Sequence, residues 1–185
     1  MKYTAVGAIE FSSIVKGLAA EDALLKAAAV ELLLARTICS GKYFILFAGS
    51  VSSVEAAMDT ARLLGAEAVI DFLTVANVHP AVFPAMTQSV VLTPGDCGAL
   101  GVIETFSGVS ALIAADTAAK AAHVTLFRLN VAMAMGGKGL LMLTGPVADV
   151  QAGIDAAVAA VAPRGLLVNQ LVIPRPEKEL FSEYI

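Results

Sequence analysis

The chain has 185 residues, of which 58% are hydrophobic and 15% charged. Its formal net charge is −4 and it has no basic cluster, which sets nucleic acid aside as a partner. A mean hydropathy of +0.81 is more than a monomer of this length needs to bury, so self-association is the first expectation. A membrane span does not explain the hydropathy. The longest uncharged stretch, Phe72 to Gly95, holds Asn77, His79, Gln88, Pro80, Pro84 and Pro94, which a lipid-facing helix would not tolerate.

Met1 to Phe11 lacks the basic segment, apolar core and small-residue site of a secretory signal, so a cytosolic protein is expected. The run from Val6 to Phe11 is short and apolar, as a buried strand is. A helix follows, with Leu18, Asp22, Leu25 and Lys26 at helical spacings among alanines that favour helix. Two strands, Glu31 to Ile38 and Tyr43 to Ala48, are joined by a tight hairpin, Cys39-Ser40-Gly41-Lys42. Ser52 with Glu55 predicts a capping box, ahead of a helix whose apolar stripe is Val54, Ala57, Met58, Ala61 and Leu64. Gly65 is expected to end that helix, and a strand from Ala68 to Ala76 closes the series. The order is β-α-β-β-α-β, the ferredoxin-like split arrangement.

The second half repeats the first. Ala5-Val6-Gly7-Ala8-Ile9-Glu10 is echoed by Ala99-Leu100-Gly101-Val102-Ile103-Glu104, Asp22 by Asp116, and Lys26-Ala27-Ala28 by Lys120-Ala121-Ala122. After two extra residues, Gly41-Lys42 meets Gly137-Lys138, Gly49 meets Gly145, Val54 meets Val150 and Asp59 meets Asp155. His79-Pro80 aligns with Arg175-Pro176. Ordered Gly, Asp, Lys and Pro matches of this kind do not arise from alanine richness alone. The reading is therefore a mixed α/β (α+β) chain of two tandem domains, 1–86 and 99–185, with a linker at 87–98 where Pro94-Gly95-Asp96 carries turn chemistry.

Together, the Gly-Ile-Glu-type first strands, the Asp22 to Lys26-Ala27-Ala28 helix with Val30, and the ending Val172-Ile173-Pro174-Arg175-Pro176 resemble bacterial microcompartment shell domains. The likeness covers nearly the whole chain twice, in the non-permuted order, and points to the tandem-domain shell proteins of propanediol-utilisation-type compartments. What it implies is a homotrimer, three two-domain chains in a pseudohexameric disc whose edges tile with other shell proteins. It also implies that Lys26, Lys120 and Arg175 lie at disc edges, with His79 in the arginine's place in the first domain. On the residues alone, Lys26 and Lys120 read as solvated helix lysines, Arg175 as part of a proline-rich turn, and His79 as a loop histidine.

In that family the hairpin loop lines a central pore. The two copies differ there, since Ile38-Cys39-Ser40-Gly41-Lys42 faces Ala132-Met133-Ala134-Met135-Gly136-Gly137-Lys138. The resemblance implies that three Cys39 thiolates, one per chain, hold a [4Fe–4S] cluster, the fourth iron taking solvent or a small ligand. Gly41 would let backbone amides approach the sulfides, and Lys42 would offset cluster charge. Ser40 replaces the proline of the family's Ile-Cys-Pro-Gly-Lys loop, a change expected to loosen the backbone without touching the thiol. Without the resemblance, Cys39 is a small incidental thiol, and Cys97 remains one. Two cysteines without a Cys-x-x-Cys make neither a disulfide framework nor a cluster site within one chain.

No nucleophile–histidine set or phosphate loop is present, so no enzyme is expected. Glu10 and Glu104, repeated at strand ends, read as structural. Electron transfer across the shell or cluster supply to enclosed redox enzymes is the expected role. An open metabolite pore without a cluster and a ferredoxin-like ligand-binding regulator are the alternatives.

Overall fold

The computed structural model describes residues 3–131 and 135–184. They form two units. The first runs to Val78 and takes in 135–137; the second holds His79 to Val131 and the chain from Lys138 onward.

The first unit comprises β1 (Ala5–Phe11), α1 (Ile14–Ala27), β2 (Glu31–Ile38), β3 (Lys42–Gly49), α2 (Val51–Gly65) and β4 (Val69–Ala76). The strands form one antiparallel sheet in the order β2-β3-β1-β4, the ferredoxin-like order. All seven residues of the central strand β1 are buried, which is why it reads as a continuous apolar run and not as an alternation. Ala5, Ile9 and Phe11 share a face with Tyr43, Ile45 and Phe47, and pack on Ala20 and Leu24 of α1 and Val54, Ala57, Met58 and Ala61 of α2. Each large side chain buried there contributes about 1.5–3 kcal/mol.

Ser13 caps α1, its hydroxyl accepting from the Lys16 N–H at 3.4 Å. The capping box expected at Ser52 does not form. Ser50 is the cap, in extended conformation directly after β3, and accepts from the Ser53 N–H at 3.1 Å. Ser52 therefore lies inside the first turn. Gly65 does end α2, but for a packing reason: a Cβ there would lie 2.2 Å from Cε1 of Phe11, and the residue with positive φ is Ala66 (φ 40°, ψ −117°). Helix α1 approaches the sheet through Gly17, where a Cβ would lie 2.5 Å from Cβ of Tyr43.

In the second unit, α3 (Val82–Met86) precedes β5 (Ala99–Thr105), α4 (Gly108–Ala121), β6 (Thr125–Val131), β7 (Gly139–Gly145), α5 (Val147–Val161) and β8 (Leu167–Ile173). The sheet order is β6-β7-β5-β8, again antiparallel. Ala111 now stands where α1 has Gly17, and Gly139 where β3 has Tyr43; a Cβ on Gly139 would lie 2.6 Å from that of Ala111. The large residue has been exchanged for a small one across the same contact.

The stretch 79–98 packs within this second unit. Short α3 lies on β6 and α4. The Pro94-Gly95 turn is closed by Asp96, whose carboxylate accepts from the Thr93 N–H and hydroxyl at 2.8 and 2.6 Å. Those bonds hold the Asp96 carboxyl below its ordinary pKa. The Leu92 N–H donates to the Tyr184 carbonyl at 2.8 Å, and Leu92, Leu100, Phe127 and Phe181 form a compact cluster. Phe127 meets the Phe181 ring at 5.8 Å and the Tyr184 ring edge-on at 4.9 Å.

Strand pairing corrects the alignment of the two ends. Val6 pairs with Val75 and Glu10 with Asp71, whereas Leu100 pairs with Ile173 and Glu104 with Asn169. The second copy carries two extra residues within 162–165, between the end of α5 and β8, since the Phe106 N–H binds the Leu166 carbonyl as the Ser12 N–H binds that of Ala68. By register, Arg175 therefore corresponds to Asn77, and His79 to Glu177; His79 does not occupy the arginine's place.

Candidate functional site

Strand β2 hands over to β3 through a single turn, Cys39–Gly41, with Ile38 paired to Lys42. Ser40 (φ 67°, ψ 23°) and Gly41 (φ 71°) are both left-handed. A proline ring fixes φ near −65°. The serine therefore does more than loosen the loop: it permits a turn that a proline at position 40 would forbid. Left-handed backbone at a non-glycine residue costs about 1–2 kcal/mol. It is offset here by the Ser40 hydroxyl, which donates to the Gly136 carbonyl at 3.1 Å.

Met135, Gly136 and Gly137 belong to the same unit as this turn, while Ala132, Met133 and Ala134 of the second loop lie outside the described residues. Gly137 is left-handed at φ 86°, and a Cβ on it would lie 3.2 Å from Ser40 Oγ and 3.4 Å from the Cys39 carbonyl. The two loops named from the sequence are thus in contact, and glycine at 137 is what lets them approach.

Beneath the turn, Lys42 Nζ donates to Glu10 Oε1 at 2.8 Å and to the Gly137 carbonyl at 3.3 Å. Glu10 is fully buried and Lys42 largely so. The second copy repeats the pair, Lys138 Nζ to Glu104 Oε1 at 2.8 Å, with both side chains more than a third exposed. All four residues stand out in the sequence, but their pairing does not. The available signal was a repeated Glu and a repeated Lys in otherwise apolar strands. Since Glu10 matches the charge of Lys42, the pair presents no net cation to the Cys39 turn, contrary to the role expected of Lys42.

Cys39 and Cys97 are not disulfide-linked. Cys39 is half-buried on its turn. Cys97 donates weakly to the Thr93 carbonyl at 3.5 Å and borders a largely apolar cavity of about 580 Å³ with Pro94, Val147, Arg175 and Phe181. Among the described residues no three His, Cys, Asp or Glu side chains of one chain converge as metal ligands. One chain can therefore bring a single thiol to the turn.

The residues expected at disc edges differ in their settings. Lys26 pairs with Asp22 at 2.5 Å in the open, one helical turn apart. Lys120 repeats this with Asp116 at 2.6 Å, but Asp116 is buried and also accepts the His79 N–H at 2.7 Å. His79 Nδ1 accepts from the Ala81 N–H at 3.3 Å, so this histidine shapes its own turn. Arg175 is exposed between two prolines.

Two copies of one βαββαβ unit, each with a Glu–Lys pair at the base of its β-hairpin, define a duplicated structural domain protein. A family model described as the BMC domain matches residues 5–78 and 99–176, and the chain belongs to that family. It is 38% identical to the bacterial microcompartment shell protein PduT of Citrobacter freundii, over 98% of this chain and 97% of that one. The shell protein EutM of Salmonella typhimurium is 43% identical over 44% of this chain and 83% of its own length. Among solved structures, a microcompartment protein from Desulfitobacterium hafniense superposes with a TM-score of 0.82 at 41% identity, covering 97% of this chain and 99% of that chain. A fused permuted hexameric shell protein of the RMM microcompartment superposes at 0.65 with 27% identity, covering 87% and 82%. The chain is thus a structural subunit of a bacterial microcompartment shell and not an enzyme.

Proposed function

We propose that three chains close into a pseudohexameric shell tile around an axis lined by the Cys39 turns, and that the three Cys39 thiolates hold one [4Fe–4S] cluster there. The observation that carries this reading is a thiol on a braced turn of one copy only. Ser40 and Lys42 tie the turn to Gly136 and Gly137, so each chain offers one thiol on a turn held from both sides. Three such chains supply three soft sulfur ligands, the donor chemistry a cluster takes, one short of the usual four. When bound, the cluster supplies one-electron transfer. Cys39 holds it, the left-handed Gly41 keeps backbone rather than side chain beside it, and the Glu10–Lys42 pair fixes the start of β3 without adding net charge. The role that follows is electron transfer across the shell or cluster supply to enclosed redox enzymes. Lys26, Lys120 and Arg175 are assigned to contacts with neighbouring shell proteins; His79 serves its own turn.

The test is purification without oxygen, followed by iron, acid-labile sulfide and visible absorption for the native chain and Cys39→Ser. About four irons per three chains, lost in the variant, are expected. Iron-free and identical spectra after cluster reconstitution would leave a tile with an open metabolite pore.

A further inference from the structure

One helix face is bare in the first copy and covered in the second. Val15 and Leu18 of α1 are 78% and 51% exposed, whereas their counterparts on α4, Val109 and Leu112, are 0% and 2%. Asp22 is open and Asp116 buried. The three positions follow one another at successive turns and make one stripe on each helix.

On α4 this stripe meets the segment that follows the first copy. The His79 N–H donates to Asp116, and α3, with Val82 buried, packs on α4 and β6. By strand register the equivalent segment after the second copy places Glu177 where His79 is and Leu180 where Val82 is. Glu177 is exposed, and Leu180 is 48% exposed against 0% for Val82. The chain therefore carries one closed junction and, elsewhere on its surface, both halves of the same junction open.

We propose that these open halves close on each other between chains: residues 176–181 of one chain dock on the α1 stripe and β2 of the next. The Glu177 N–H donates to the Asp22 carboxylate, and Leu180 takes the place that Val82 takes on the second copy. A contact between two different patches repeats head to tail until a ring closes. The assignment rests on the ring described above and names the residues of its seam.

Native mass spectrometry and light scattering of the full chain over a concentration series test it. Glu177 sits at φ −63° and ψ 143°, which proline adopts, so Glu177→Pro removes the N–H without bending the backbone. Leu18→Glu alters a residue exposed in the single chain and leaves the fold intact. Both variants are expected to shift the midpoint between ring and single chain by about tenfold or more, the scale of a lost charge-assisted hydrogen bond or a buried leucine contact. Glu177→Ala keeps the N–H and should behave as native. So should Leu63→Glu, because Leu63 and its counterpart Ala159 are both exposed. A ring that persists unchanged in Glu177→Pro and Leu18→Glu, or that is lost equally in Leu63→Glu, overturns the seam while leaving the ring. A native chain that stays single at every concentration overturns the ring itself.

Discussion

Glu10 and Glu104 are the same residue in two copies, and burial makes them unequal. Removing one partner of a buried ion pair strands the other, so Glu10→Gln is expected to cost about 3 kcal/mol in urea unfolding. Glu104→Gln, at a partly exposed pair, should cost no more than about 1 kcal/mol. Equal losses would mean that burial does not set the worth of these pairs. Tyr43 gives a pH signature: burial, then its 2.6 Å hydrogen bond to Glu21, pushes the phenol up to about 12. Its folded pKa lies above the unfolded one, so its contribution is complete below pH about 10 and is lost as pH rises towards about 12. Tyr43→Phe should flatten that alkaline decline in thermal melts, and an unchanged slope would assign the decline to other groups. At this scale the sequence named Cys39, Ser40, Lys42 and Glu10, but not their partners. Partnership depends on which carboxylate and lysine lie diagonally across a strand ladder, and on a serine taking a left-handed turn, neither of which has a local signature.

Elements were more legible than their ends. Both long helices and all four strands of each copy follow from apolar period and from the repeat, because tertiary burial and local propensity agree there. Short α3 has no signal in the sequence: it has five residues, includes Pro84, and sits in a stretch without periodicity. The two-residue insertion between α5 and β8, within 162–165, hid the true correspondence of Arg175 with Asn77, since proline after a polar residue recurs by chance in both ends. Two substitutions test the packing between elements. Gly17→Ala forces a Cβ into Tyr43 and should cost about 1–3 kcal/mol in chemical denaturation. Phe181→Ala removes a buried ring from the cluster with Phe127 and should cost about 3–5 kcal/mol, whereas a loss below about 1 kcal/mol would make the C-terminal segment a passive cover.

For the whole molecule, duplication was the strongest signal in the sequence, and the surplus of apolar residues has a use in assembly. If Arg175 serves contacts between tiles, Arg175→Ala should leave the ring's mass unchanged and reduce the extended sheets seen by electron microscopy. Undiminished sheets would remove it from the edge. The exchange of Gly17 and Tyr43 for Ala111 and Gly139 bears on the history of the gene as well as on its packing. Recombination between the two halves of the coding sequence would set alanine against tyrosine in one product and glycine against glycine in the other. The first overlaps and the second leaves a hole. Homogenisation of the tandem halves is thus opposed by steric fit in their cores, and a cysteine present in only one of them can persist.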